Sequence, residues 1–373
     1  MRKSVLLPIH STALVRIALA ALVLLATASC TSVPNPYGFK RGPYLQMVTP
    51  DSVLVVWDTA QAESGRVEYG PTEALGLVAE EGLATRHHAV ALTGLAPYST
   101  HYYRVGQSPV FSFRSAATPD QTQFRFAVIG DTQTYHAQHK AVIGQVLKAE
   151  PDWFIHLGDM IEHGESAGQW DDFFGIAAPL LATAPSITTI GNHQRDNANY
   201  YNAFHLPGNE HWYSFSYGNA RFICLEGDGY PEGAPLYTPE ELAWLEAELA
   251  GSTSPWLLVF QHRAVFSSAA EDSTETGMRK TLQPLFERYG VDVLLSGHKH
   301  NYERLLVSGI TYIVSGGGGG RLTALGQPEP GSQTATLAHH FVLFEVDGDH
   351  LTGTAIDMEG NIIDRFELTS GQQ

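Results

Sequence analysis

Five short strings in this chain share one setting, just past an apolar run of strand length. They are GDTQ (Asp131), GDMIEHG (Asp159), GNHQ (Asn192, His193), QHR (His262) and GHKHNYER (His298, His300). The runs ahead of them, FRFAVIG, DWFIHLG, SITTIGNH, PWLLVFQH and VDVLLSGH, alternate with helical stretches such as HAQHKAVIGQVLKAE and WDDFFGIAAPLLATA. That alternation predicts an α/β layered domain from residue 121 onward, and open α/β sheets gather their ligands where strands end. TPEELAWLEAELAGS adds a helix with Thr238 as N-cap, Pro239 at the first position and Glu241 completing a capping box. A further helix is expected near Met278–Tyr289, and FVLFEVDGDHLTGTAIDMEG reads as a closing β-meander.

The residue types at the five strand ends set the chemistry. Asp131 and Asp159 offer anionic oxygens, Asn192 a neutral oxygen, and His262, His298 and His300 nitrogen. Mixed oxygen and nitrogen ligation suits Fe, Mn or Zn better than Ca. The set is large enough for two ions side by side, an arrangement that clamps phosphate esters and activates water near neutral pH. Elsewhere in the chain, His10, His87, His88, His101, His136, His139, His205, His339 and His350 read as surface or core histidines. The run GGGGG at 316–320 admits three readings: a flexible loop, a nucleotide-binding turn, or backbone that must pass close to a metal centre.

Residues 37–118 follow a different pattern. SVLVVWDT, GRVEYG, HAVALTGL, HYYRVG and VFSFRS are β-branched and aromatic, alternate in polarity, and are punctuated by turn residues. They predict an all-β sandwich, linked through Ala116–Asp120 to the α/β part. LTGLAPYSTHYYRVG resembles the E–F corner of a fibronectin type III domain, with His101 standing where that family often has a tyrosine. The expected division is a signal peptide over 1–29, a tether over 30–36, the sandwich over 37–118 and the catalytic domain over 119–373.

Arg2, Lys3 and Arg16 precede an apolar stretch from Ile17 to Ala28, and small residues lead to Cys30. This reads as an export signal. Cys30 fits a bacterial lipobox, with Thr27 where leucine is usual, and predicts a lipid-anchored envelope protein; the alternative is a soluble periplasmic or secreted one. Cys224, in ARFICLEG, reads as a buried core residue. With a formal charge of −17 the chain lacks the basic footprint of a duplex nucleic-acid binder. Tyr230, Tyr237, Glu271 and Asp272 sit in stretches that either shape specificity or form plain turns.

Taken together, the five strings resemble those of the calcineurin-type metallophosphoesterases, and the sandwich with GHKHNYER is similar to the purple acid phosphatase group. The resemblance implies phosphate-ester hydrolysis with a phosphate-ester substrate. It also implies that Asp131 and His300 bind a first metal, that Asp159 bridges, and that Asn192, His262 and His298 bind a second. His193 would touch the substrate, either protonating the leaving oxygen or hydrogen-bonding the phosphoryl group. Two positions depart from the group. Glu162 stands where purple acid phosphatases have a ligand tyrosine, and Gln133 where related branches have Gly or His. Gln133 would offer its amide oxygen to the first metal. Glu162 would either bind that metal or, as in the GDxxDRG motif of phosphoprotein phosphatases, orient His193 through its carboxylate. His163 falls where that branch has a phosphate-binding arginine, and Arg195 is a second candidate phosphate clamp. The competing reading is a cell-surface binding module whose metal site is vestigial.

Overall fold

A computed structural model describes residues 32–228, 234–270 and 273–371. The export segment and Cys30 lie outside the described residues, as do Tyr230, Glu271 and Asp272.

The N-terminal part is all strand: β1 (Arg41–Gln46), β2 (Ser52–Gly70), β3 (Leu77–Thr93), β4 (Thr100–Val105) and β5 (Phe111–Arg114). Segments expected as separate strands are fused. β2 runs unbroken from SVLVVWDT through GRVEYG, and β3 pairs with it along both halves, with register shifts between Asp58 and Glu63 and between Ser64 and Arg66. The first half of β2 also pairs with β1, the second with β4. Inward residues of both halves (Val53, Val55 and Trp57; Val67 and Tyr69) share one apolar cluster with Tyr103 and Phe111. His101 is buried and its Nε2 donates to the Ala96 carbonyl five residues upstream at 3.0 Å.

The stretch read as a polar tether is partly docked, since the Val33 amide donates to Asp172 Oδ1 at 2.6 Å. Tyr44 and Tyr103 tie the β part to the α/β part, their hydroxyls donating to the carbonyls of Ala203 and Ala182 at 2.8 Å each.

From Gln123 onward strands and helices alternate: β6 (Gln123–Ile129), α1 (His136–Ala149), β7 (Trp153–His156), α2 (Ala167–Leu181), β8 (Ser186–Thr188), α3 (Ala198–Ala203), β9 (Tyr213–Tyr217), β10 (Ala220–Cys224), α4 (Pro239–Gly251), β11 (Trp256–Phe260), α5 (Ser273–Tyr289) and β12 (Val293–Ser296). A largely antiparallel tail, whose β14 also joins β12 in parallel, closes it: β13 (Tyr302–Val307), β14 (Ile310–Ser315), β15 (Ser332–Thr336), β16 (His340–Asp347), β17 (His350–Asp357) and β18 (Ile362–Thr369). Two sheets result, one ordered β18-β17-β16-β6-β7-β8, the other β15-β13-β14-β12-β11-β10-β9. β6, β7 and β8 are parallel, as are β10, β11, β12 and β14.

Burial on both faces explains the continuous apolar runs. In β10 and β11, Phe222, Cys224, Leu258 and Phe260 join the core between the sheets, where Phe126 stands edge-on to Phe222 at 5.3 Å. Their neighbours Ile223, Leu257 and Val259 turn the other way, onto Leu245 and Leu249 of α4 and Met278 and Leu282 of α5. Cys224 is buried as expected, and burial pushes its thiol up to about 12. Thr238 caps α4 by accepting from the Glu241 amide at 3.1 Å, but Glu241 does not complete the box; its Oε1 takes the Glu226 amide at 2.9 Å. Tyr237 is no surface turn residue: it is buried, and its hydroxyl donates to Gln261 Oε1 at 2.7 Å.

Candidate metal centre

Parallel strands from two sheets end on one side, and each delivers a polar residue there. Asp131 follows β6, Asp159 follows β7, Asn192 and His193 follow β8, His262 follows β11 and His298 follows β12. Asp131, Asp159 and His298 hold left-handed backbone, with φ of 57, 51 and 65°. L-residues pay for that conformation with strain, a feature typical of functional sites.

The side chains converge into two groups that share one residue. Asp131, Asp159 and His300 bring ligand atoms within 4.8 Å of one another, and so do Asp159, His262 and His298. His300 Nε2 lies 3.3 Å from Asp131 Oδ1, and His262 Nε2 lies 3.2 Å from Asp159 Oδ2. Asn192 Oδ1 stands 3.1 Å from the same His262 nitrogen. Two of the imidazoles have their other nitrogen committed to a carbonyl: His262 Nδ1 donates to Leu157 and His300 Nδ1 to Arg321, at 2.7 Å each. These bonds fix the tautomer that presents Nε2 as a ligand. Gln133 approaches His300 through its amide nitrogen at 3.3 Å, while its oxygen is buried without a hydrogen-bond partner among the described residues. An orphaned acceptor beside paired carboxylates and oriented imidazoles is a donor set that fits cations.

Electrostatics agree. Burial alone would lower His262, but Asp159 outweighs it and carries the imidazole up to about 10. Burial likewise opposes charge on His300, and Asp131 raises it nonetheless. Burial would raise Asp159, but His262 and His193 hold it below the usual carboxylate range; for Asp131 burial prevails and its value rises. Protons here stand where cations would.

The GGGGG run turns out to be backbone pressed against this centre. A Cβ on Gly316 would lie 2.9 Å from Asp131 Oδ2, and one on Gly320 2.6 Å from His300 Nδ1. Neither the flexible-loop nor the nucleotide reading describes it.

His193 lies at the edge, with Nε2 3.8 Å from Asp159 Oδ2 and its amide donating to Asp159 Oδ1 at 2.9 Å. The expectation that the Glu162 carboxylate sets its tautomer needs correction. Nδ1 donates to the Glu162 main-chain carbonyl at 2.8 Å; the carboxylate stands 3.7 Å away and accepts from Thr134 Oγ1 at 3.0 Å. His163 and Arg195 are exposed, and no side-chain bond among the described residues joins either to the donor groups.

Three residues of the site carry no signal that the sequence reading takes up. Gln194 is fully buried; its Oε1 accepts from the amides of Asp159 and Gly191 at 2.9 and 3.0 Å, lashing two motifs together. Lys299 points away from its histidine neighbours and puts Nζ 2.8 Å from both Glu275 Oε1 on α5 and the Ala270 carbonyl. Arg263 donates from Nε to Asp228 Oδ1 at 2.6 Å and from Nη1 to His298 Nε2 at 3.1 Å.

Comparison with known proteins agrees with this geometry. Residues 124–302 match the calcineurin-like phosphoesterase family. Human acid phosphatase type 7 is 30% identical over 302 residues, covering 69% of this chain and 68% of that protein. The chain belongs to the calcineurin-like phosphoesterase family. An Arabidopsis thaliana relative named probable inactive purple acid phosphatase 1 is 27% identical over 352 residues, and the match covers 76% of this chain but only 56% of that longer protein. The purple acid phosphatase PPD1 of yellow lupin seeds shares the fold, with a TM-score of 0.75 at 22% identity over 88% of this chain and 74% of that one.

Proposed function

We propose that this chain hydrolyses phosphate esters at a centre of two metal ions. The observation that supports it is the sharing of Asp159 between two donor groups, which is what a carboxylate between two cations requires. In this reading Asp131, His300 and the Gln133 amide oxygen would hold one ion, Asn192, His262 and His298 would hold the other, and Asp159, common to both groups, would serve each. The donor mixture selects Fe, Mn or Zn. Bound ions supply Lewis-acid polarisation of the phosphoryl group and activation of water.

The rest is done by the chain's own groups. The Leu157 and Arg321 carbonyls keep His262 and His300 turned with Nε2 inward. The Glu162 carbonyl holds the Nδ1 proton of His193, so a second proton on Nε2 is the one available to a leaving alcohol oxygen. The Glu162 carboxylate faces the same ring edge, 3.7 Å from Nδ1, beyond hydrogen-bond reach.

We further read residues 37–118 as a fibronectin type III-like sandwich preceding a catalytic domain over 119–373, and Cys30 as the lipidated residue of a protein anchored in a bacterial envelope. Replacing Cys30 with serine then moves the protein from the membrane pellet to the unprocessed or soluble fraction; unchanged partitioning rules the anchor out. For the catalytic reading, metal content of natively expressed protein is measured beside turnover of aryl phosphate mono- and diesters. Two ions and turnover are expected. Neither metal nor turnover would leave a vestigial site on a binding module.

A further inference from the structure

An anionic ester at two cations still needs a fixed donor to set its orientation. The two candidates suggested by sequence, Arg195 and His163, are exposed and, among the described residues, have no side-chain bond to the donor groups. Arg263 is held. Its side chain is 17% exposed and its partner Asp228 only 5%. Asp228 follows β10, the strand beside β11, so adjacent strand ends supply carboxylate and guanidinium. The Nε bond fixes the plane of the guanidinium, and its Nη1 end reaches His298, a member of the second donor group. The other Asp228 oxygen is buried with no hydrogen-bond partner among the described residues, so the carboxylate's charge is directed at this arginine's neighbourhood and not at solvent. A guanidinium pinned from behind by a buried carboxylate, with its fork toward a cation site, is built to share an anion with that site.

We propose that Arg263, oriented by Asp228, binds the non-bridging oxygens of a phosphoryl group at the second donor group. This rests on the phosphoesterase reading above. It also sets a substrate preference: a monoester dianion presents one more ionised oxygen than a diester and gains more from the fixed positive charge.

The test uses the metal-loaded protein and inorganic phosphate as the calorimetric probe, with metal content measured for every variant. Arg263→Gln is expected to keep both metals and to lose phosphate affinity by about ten- to a hundredfold, the scale of a charge-assisted bond. Its kcat/KM for an aryl monoester falls more than that for the matching diester. Arg263→Lys recovers part of the affinity, and Asp228→Asn loses less than Arg263→Gln. Unchanged phosphate affinity in Arg263→Gln overturns the proposal. So does loss of the second metal with the remaining sites' phosphate affinity intact, which would make Arg263 a prop for His298. If Arg263→Gln does not fold, Asp228→Asn decides: a guanidinium released from its partner must bind phosphate more weakly, and an unaltered affinity overturns the assignment. A parent protein without metal or turnover removes the phosphoesterase reading itself, an outcome distinguishable from the parent's own measurements.

Discussion

His88 in the N-terminal β part and His262 at the strand ends are both fully buried imidazoles beside a carboxylate. Their surroundings differ in one respect. His88 is saturated: Nδ1 meets Glu81, Nε2 meets Thr59 Oγ1 at 3.2 Å, and the ring stacks on Trp57 at 4.6 Å. His262 has one nitrogen satisfied by a carbonyl and the other aimed at a space that Asp159 and Asn192 also face. A histidine–carboxylate pair is therefore not a metal site. Convergence of several acceptors on one point, with tautomers assigned beforehand, is what separates the two regions.

The strongest way to break that contrast is to remove the shared acceptor. Asp159→Asn is expected to cost far more than the about 10- to 100-fold that outer-shell changes cost, and to lower metal content, because a neutral oxygen cannot bridge two cations. Two retained ions with near-normal turnover would sink the assignment. His193→Ala comes next. Loss of a general acid typically costs about 10²- to 10⁴-fold, here concentrated in esters with poor leaving groups, while both metals stay.

Proton linkage sharpens the comparison. The His262 value near 10 in the metal-free protein means that below that pH its imidazole carries a proton that a ligand role must expel. Metal uptake should release protons, and apparent affinity should rise with pH by up to about tenfold per unit for each proton released. Metal titrations in weak buffer at several pH values test the sign; affinity that is flat or falls between neutrality and about pH 9 contradicts it. The same shift has a stability consequence. The raised His262 value contributes stability that is present below the imidazole's unfolded value and is lost as pH climbs through about 10.

Glu162→Gln is expected to be milder than His193→Ala, since the main-chain carbonyl that fixes Nδ1 survives the change. Metals should be retained, slow esters should suffer more than activated ones, and the double variant should be well short of additive. Loss of one metal with a flat leaving-group series would instead make Glu162 a ligand. Smallest at the site, and the control for the whole contrast, is His88→Ala. It should leave metal content and turnover untouched while lowering stability by about 1–3 kcal/mol through the unpaired partner it leaves, readable as a drop in Tm.

The legibility of these features follows their physics. Strand ends are readable because strands buried on both faces must be apolar throughout, as in PWLLVFQH, so the first polar residue after each marks the sheet's edge. The fusion of SVLVVWDT with GRVEYG is not, because AQAES looks like a turn, and the pairing with β3 resumes only at Glu63 after a register shift. The His193 tautomer escapes sequence reading because a main-chain oxygen carries no residue type to notice. Gln194 and Arg263 escape it for a related reason: their partners, Asp159 and Asp228, lie 35 residues away, and only the fold pairs them.

The left-handed backbone at Asp131, Asp159 and His298 carries a consequence for descent. Each such residue costs on the order of 1 kcal/mol or more relative to glycine, the residue at ease there. Glycine would relieve that strain at any of these three places, but at Asp131 and Asp159 it would also remove the carboxylates that accept the His298 and His193 amides. His298 is the one of the three whose side chain accepts no main-chain amide among the bonds described, so strain relief there would be least opposed once the chemistry is no longer needed.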